Sequence, residues 1–361
     1  MMRIAATVAA ALLLVSCSEE GENLNSSGNS PRGNGSSQVE ITEAIATYAC
    51  EPLGDLPCAL GFSGDDAFYW TSIHWLQSGE RVPILRLIDR EDPKITELPP
   101  PFSSSGTLVF SQDGGVLLFG AREQLHVCDI PEKLIRFSFA LEDQVEKIGL
   151  LDSFHPSFSA DGSHIVYSST SDRLTTVVSL DAQTGEVRSK VTTPFVGRQS
   201  GVSESGDRVL IVGEERRGGV REKGMLLWDV DSNSDPKAYF EDDEVHFCDL
   251  SPAGSVIAAM VGDNKVSLVL LDVDNGETLH EIDTKTSGDL VFSPDGKWIA
   301  LVGLKNVRFF NRSTGKENKE AQIDLGWRKE RLFWYSPGSQ YVAAVFKDEA
   351  GTNIGIWKAP K

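Results

Sequence analysis

Arg198, His246 and Arg331 are the side chains of this sequence best placed by spacing to hold an anion. Each stands five residues before a serine that ends a short β-prone run, at Ser203, Ser251 and Ser336. Two guanidiniums and an imidazole gathered at one point bind a carboxylate or phosphate through charge-assisted hydrogen bonds. Left apart, each pairs with neighbouring acids, of which the chain has 53. A second basic group, Arg216, Arg217 and Arg221, falls in the stretch 214–224, EERRGGVREKG. Its mixed charge and paired glycines describe a long, flexible contact loop or a solvated hairpin tip.

Other chemistry weakens on inspection. Asp229, Asp231, Asn233 and Asp235 have the opening spacing of a calcium loop. The glycine at the sixth position and the later bidentate Glu are missing, and the segment sits where a strand-to-strand turn belongs, so a plain turn is expected. Six histidines are scattered without metal-ligand spacing, and no C-x-x-C pair occurs. Nucleophile-elbow, Walker and dinucleotide glycine motifs are missing too. The sequence therefore names no catalytic residue, no metal site and no cofactor. Cys50 and Cys58 flank the junction between the expected closing strand and the first repeat and are candidates for a disulfide in an oxidising compartment. Cys128 and Cys248 fall within strands and read as core.

The elements that must position these residues come from a repeat. An aromatic or aliphatic residue, a serine, a turn with Asp or Gly and a dense apolar run recur along the chain. The marker serines are Ser63, Ser111, Ser159, Ser203, Ser251, Ser293 and Ser336, at steps of 48, 48, 44, 48, 42 and 43 residues. That period is close to a propeller blade of about 40–45 residues and far from leucine-rich or ankyrin repeats. Each repeat holds a short strand ending at the serine, a tight turn, and a strand apolar on both sides such as Trp298-Ile299-Ala300-Leu301-Val302. A third strand, a polar turn such as Asp181-Ala182-Gln183-Thr184-Gly185 and a weaker fourth strand complete it. The seventh repeat lacks its fourth strand. The spare β-prone segment 39–48, VEITEAIATY, is expected to supply it and so remove two open sheet edges.

The fold expected is all-β: a seven-bladed β-propeller of four-stranded antiparallel blades, closed by an N-terminal strand. The Ser293-Pro294-Asp295-Gly296 turn, its degenerate copies and Trp228-Asp229 resemble WD-repeat and WD-like bacterial propellers over residues 40–361. No Gly-His dipeptide occurs and Trp-Asp occurs once, so the looser bacterial relatives fit better. In such propellers the residues five before each marker, here Cys58, Gly106, Phe154, Arg198, His246, Gly288 and Arg331, are expected near the channel mouth.

The N-terminus sets the expected address. Arg3 precedes an apolar run, Ile4 to Val15, too short to span a bilayer and of signal-peptide length. Leu14-Val15-Ser16-Cys17 resembles a bacterial lipobox, which implies cleavage before Cys17 and its lipidation. Ser18, rather than Asp, after the cysteine implies the outer membrane by the same resemblance. Residues 1–16 are then a signal peptide, 17–38 the lipidated cysteine and a Ser/Gly/Asn-rich tether, and 39–361 the propeller. A net charge of -19 repels phosphate backbones and argues against a nucleic-acid partner. These features lead to a lipid-anchored scaffold for envelope proteins, periplasmic or surface-facing. It resembles in logic the propeller lipoprotein of outer-membrane protein assembly and the propeller of the Tol system. A glycan or peptidoglycan binder and a lactonase-like enzyme at the channel mouth are the alternatives.

Overall fold

The computed structural model describes residues 44, 46–49, 57–63, 67–75, 81–89, 95–98, 108–111, 114–121, 124–129, 132, 134–140, 155–159, 161–171, 174–217, 220–232, 234–240, 244–262, 265–326, 332–348 and 351–361. Every regular element among them is a strand. The first is β1 (Ala46–Ala49). Blade 1 follows as β2 (Pro57–Ser63), β3 (Ala67–Trp75), β4 (Arg81–Asp89) and β5 (Ile95–Leu98). Blade 2 is β6 (Leu108–Phe110), β7 (Val116–Ala121), β8 (Gln124–Asp129) and β9 (Leu134–Ala140). Blade 3 is β10 (His155–Phe158), β11 (His164–Ser171), β12 (Leu174–Asp181) and β13 (Val187–Thr193). Blade 4 is β14 (Val196–Val202), β15 (Arg208–Arg217), β16 (Val220–Asp229) and β17 (Lys237–Tyr239). Blade 5 is β18 (Val245–Leu250), β19 (Val256–Val261), β20 (Ser267–Asp272) and β21 (Thr278–Asp283). Blade 6 is β22 (Asp289–Phe292), β23 (Trp298–Val302), β24 (Asn306–Asn311) and β25 (Glu317–Asp324). The last sheet takes β26 (Phe333–Tyr335), β27 (Tyr341–Asp348) and β28 (Gly351–Lys358), and pairs β28 with β1. Among the described residues these strands form seven four-stranded antiparallel sheets.

The marker serine explains why each repeat folds back where it does. The hydroxyl oxygens of Ser111, Ser159, Ser203, Ser251, Ser293 and Ser336 accept the backbone N–H five residues on, each at 2.9–3.0 Å. Backbone bonds between the same two residues close the loop further. All six serines are buried. A hydroxyl is small enough to sit inside the turn and can accept and donate at once. The turn then presents the next strand's first amide already satisfied.

The turns are also tied from blade to blade. Asp161 N–H donates to Glu204 O and Glu204 N–H to Pro252 O. The Asp295 amide donates to Ser339 Oγ at 3.0 Å. Between the sheets lie apolar clusters that each draw on two successive blades. Val127 and Tyr167 share one (blades 2 and 3), Val177 and Trp228 the next, and Tyr239 and Ile257 the next. Leu270 with Phe310, Phe309 with Tyr335, and Ile354 with Phe62 carry the series from blade 5 round to blade 1. Strands β2 and β6 make the remaining contact. The second strands are buried on both faces, as β19 is throughout, because each sheet is packed from either side.

The expected closing pairing is present: β1 (Ala46–Ala49) lies against β28 in a register that runs from Ala46 against Ile356 to Ala49 against Asn353. The last three residues of the expected segment, with Ala49, are in the ladder, and residues 39–43 and 45 lie outside the described residues. Of the two readings of 214–224, a flexible contact loop and a hairpin tip, the structure has the hairpin. Strands β15 and β16 continue through it, with Arg216 paired to Arg221 and Arg217 to Val220. Ladder hydrogen bonds thus extend to within two residues of the hairpin tip despite the charges.

Candidate functional site

The inner strands end at the marker serines, so residues two before each marker sit at one level around the axis. Val109, Ser157, Gly201, Asp249, Val291 and Trp334 occupy that position in blades 2 to 7, and all six line a cavity of about 230 Å³. Pro252 and Pro294, directly after their marker serines, also line it. Their position puts its mouth on the face that carries the serine turns. The walls are mainly apolar.

Asp249 is the charged residue in this ring. Its Oδ1 accepts the Leu250 amide at 2.9 Å, and its Oδ2 accepts the Phe292 amide at 2.8 Å. The second bond crosses from blade 5 to blade 6 and satisfies an N–H on the free edge of an inner strand. Gly201 makes room for it: a β-carbon there would lie 2.9 Å from Asp249 Oδ1 and 2.6 Å from the Leu250 nitrogen. Asp249 keeps part of its surface open to the cavity but is otherwise enclosed by protein. That enclosure pushes its carboxyl up to about 7, against the opposing effect of the two amides. No cationic side chain pairs with it among the described residues.

The positions singled out in the sequence fare differently. His246 lies in a bulge of β18, where the register shifts between Val245 and Phe247. Its Nε2 donates to the Gly262 carbonyl at 2.8 Å, so that nitrogen is spent within its own blade rather than offered to an anion. Arg198 is on β14 with its backbone opposite Val212, but its side chain, like those of Arg216, Arg217, Arg221 and Cys58, lies outside the described residues. Arg331, Cys17 and Cys50 lie outside them altogether, and with them the proposed disulfide. Cys128 and Cys248 are buried in strands without a disulfide, as expected, and burial pushes the Cys128 thiol up to about 12. In the calcium-like segment, both carboxylate oxygens of Asp231 accept from Arg188 at 2.6 Å, and the Ser232 amide donates to Asp229 O as in a turn.

Asp249 was not among the sequence candidates. The signal was present: aligned on the marker serines, its column reads Gly61, Val109, Ser157, Gly201, Asp249, Val291 and Trp334. One charge in an otherwise uncharged column of channel residues marks the position.

On the outer rim, three exposed apolar side chains fall on two successive blades. Leu134 and Ile135 open β9, and Val187 opens β13. They are 62%, 39% and 45% exposed. Phe137 of β9 packs on Gly185, two residues before Val187, with its ring 2.8 Å from where a β-carbon would stand. That contact brings the two strand starts to the same region.

No protein-family model matches the chain, and no curated protein matches it by sequence. By structure, 1110 solved chains match. One belongs to the crystal structure of the mitotic checkpoint complex, at 13% identity and a TM-score of 0.63. The match covers 94% of this chain and 100% of that one. At that identity the likeness speaks for the fold alone, a WD-repeat-like β-propeller.

Proposed function

We propose that this chain is a seven-bladed, non-catalytic interaction scaffold, tethered through a lipidated Cys17 to the bacterial outer membrane. The observation that carries the scaffold reading is the apolar rim patch formed by Leu134, Ile135 and Val187. Outer strands of a propeller face water: β25 exposes only polar side chains, and β21 exposes one aliphatic, Leu279. Grouped exposed aliphatics on such a surface mark a contact site for another protein. The turn-to-turn hydrogen bonds and the packed blade interfaces make the platform rigid, so docking costs little ordering entropy. A solved neighbour of the fold is itself part of a protein complex, which agrees with protein partners.

The test is capture from the native envelope after cross-linking, comparing the natural chain with an Ile135→Asp, Val187→Asp variant. Both positions are exposed, so folding is retained. A dominant partner caught by the natural chain and lost from the variant supports the reading. Equal capture by both moves the interface elsewhere and sinks the rim patch. The address is checked separately by labelling with a radioactive fatty acid: Cys17→Ser abolishes incorporation if Cys17 is the anchor.

A further inference from the structure

We propose that the turn-face end of the central channel binds one protonated primary amine, with Asp249 as its counter-ion and Trp334 as an aromatic wall. This is independent of the rim patch and of the scaffold reading.

Asp249 lines a mainly apolar cavity, with no cation paired to it among the described residues. Enclosing a carboxylate without a counter-charge is costly, and such groups are normally paired. The two amides that it accepts hold its position, yet each oxygen retains a lone pair that can accept from a further donor. A pin between blades 5 and 6 needs only a neutral acceptor; the charge is additional to that role. The natural complement is a donor that carries positive charge.

The walls decide which cation. Trp334 occupies the same level of the channel, two blades on from Asp249, and its indole is the best of the aromatic faces for a cation. Val109, Val291 and Phe292 supply apolar surface for an alkyl stem. A cavity of about 230 Å³ is smaller than the roughly 300–1,000 Å³ of sites for drug-sized ligands. It fits one group the size of a lysine side chain. A guanidinium would bring five donors in a fixed fork to a carboxylate that already accepts two amides, whereas an ammonium is compact and brings three. A metal ion would want several ligands, and no group of three or more acids, histidines or cysteines gathers among the described residues.

A free amine and a lysine of a partner protein share this chemistry. The first probe is therefore n-butylammonium, and the second Nα-acetyl-lysine N-methylamide, whose backbone must stay outside the cavity. The full chain is titrated at about pH 8, where the carboxyl is ionised. The amide resonances of Leu250 and Phe292 are followed, because both donate to the carboxylate. The expected result is a saturable shift of both amides with n-butylammonium, none with the uncharged n-butanol, and loss of the effect in Asp249→Asn. Binding of the lysine derivative as well assigns the site to a protein-borne lysine; binding of n-butylammonium alone assigns it to a free amine. No saturable shift, or equal shifts with n-butanol, overturns the proposal on the natural chain, even if the variant fails to fold.

Discussion

Ser293 Oγ accepts the Trp298 amide at 2.9 Å while donating to Asp295 Oδ1 at 2.7 Å. Both bonds lie at a turn whose serine is almost wholly buried. Replacing it with alanine strands the Trp298 amide inside the protein and removes a donor from the carboxylate. Leaving one buried donor unpaired costs about 1–3 kcal/mol. Ser293→Ala is therefore expected to lower the unfolding free energy by that amount, seen as a lower urea midpoint with an unchanged slope. A loss below about 0.5 kcal/mol would show that water reaches the turn and that the serine is dispensable.

This serine also explains how much of the fold could be read from the sequence. Its spacing and the Pro-Asp-Gly turns fall where local hydrogen bonds dictate backbone direction, so they survive as a legible repeat. The apolar strands between them are legible because both faces are buried. The stretch 214–224 left a loop and a hairpin tip both open, because its composition shows only charge and glycine, while ladder hydrogen bonds that no side chain advertises carry the strands onward. Asp249 was missed for a different reason. Its meaning comes from the ring of residues that five other blades place beside it, and only the column through the repeats reveals that.

Asp249 and Asp295 make opposite contributions to stability as pH changes. Burial raises Asp249 from 3.8 to about 7. Between those values the unfolded chain has lost the proton and the folded one keeps it, so stability falls as pH rises from about 4 to about 7 and is level above. Asp295 is also pulled upward by burial. The Lys297 side chain, the Ser293 hydroxyl and the Lys297 amide together outweigh that and hold it below its ordinary value. Its contribution is present above about pH 4 and is lost as pH falls below. Unfolding of Asp249→Asn and Asp295→Asn should thus diverge from the natural chain in different windows. The first gains relative stability between about pH 4 and 7, and the second loses its deficit only in acid. The same pH dependence in both variants would contradict the assigned environments.

Tyr335 packs edge-on against Phe333 with ring centroids 5.2 Å apart, and its hydroxyl is buried with no hydrogen-bond partner. Burial pushes that phenol well above its usual range, with a smaller push from Asp295. An unmet buried hydroxyl contributes cost without a bond. Tyr335→Phe keeps the ring packing and is expected to leave stability unchanged or raise it by up to about 1 kcal/mol. A loss of more than about 1 kcal/mol would reveal a bound water or partner that satisfies the hydroxyl.

The four residues of β1 complete the last sheet by pairing with β28. Without them β28 presents a row of unpaired amides and carbonyls at a sheet edge. Truncation of residues before 50 should lower the thermal midpoint by at least about 5 °C. It should also make the chain associate at high concentration, measured by calorimetry and light scattering. An unaltered transition would mean that this strand adds nothing to ring closure.

Ser339 stands where five other serine turns have glycine. Gly114, Gly162, Gly206, Gly254 and Gly296 have φ of 66–71°, and Ser339 takes φ 56°. The left-handed region costs an L-residue roughly 1–2 kcal/mol that glycine does not incur. Ser339 has a compensating bond, because its hydroxyl accepts the Asp295 amide of the preceding blade at 3.0 Å. Ser339→Gly relieves the backbone and loses that bond, so the two effects of about 1 kcal/mol nearly cancel. Ser339→Ala loses the bond and keeps the strain. The glycine variant should therefore be the more stable of the two by about 1 kcal/mol, and the alanine variant less stable than the natural chain by a similar amount. Equal stability of the two variants would place the backbone here outside the left-handed region, and the last blade would then turn by a different geometry from the others.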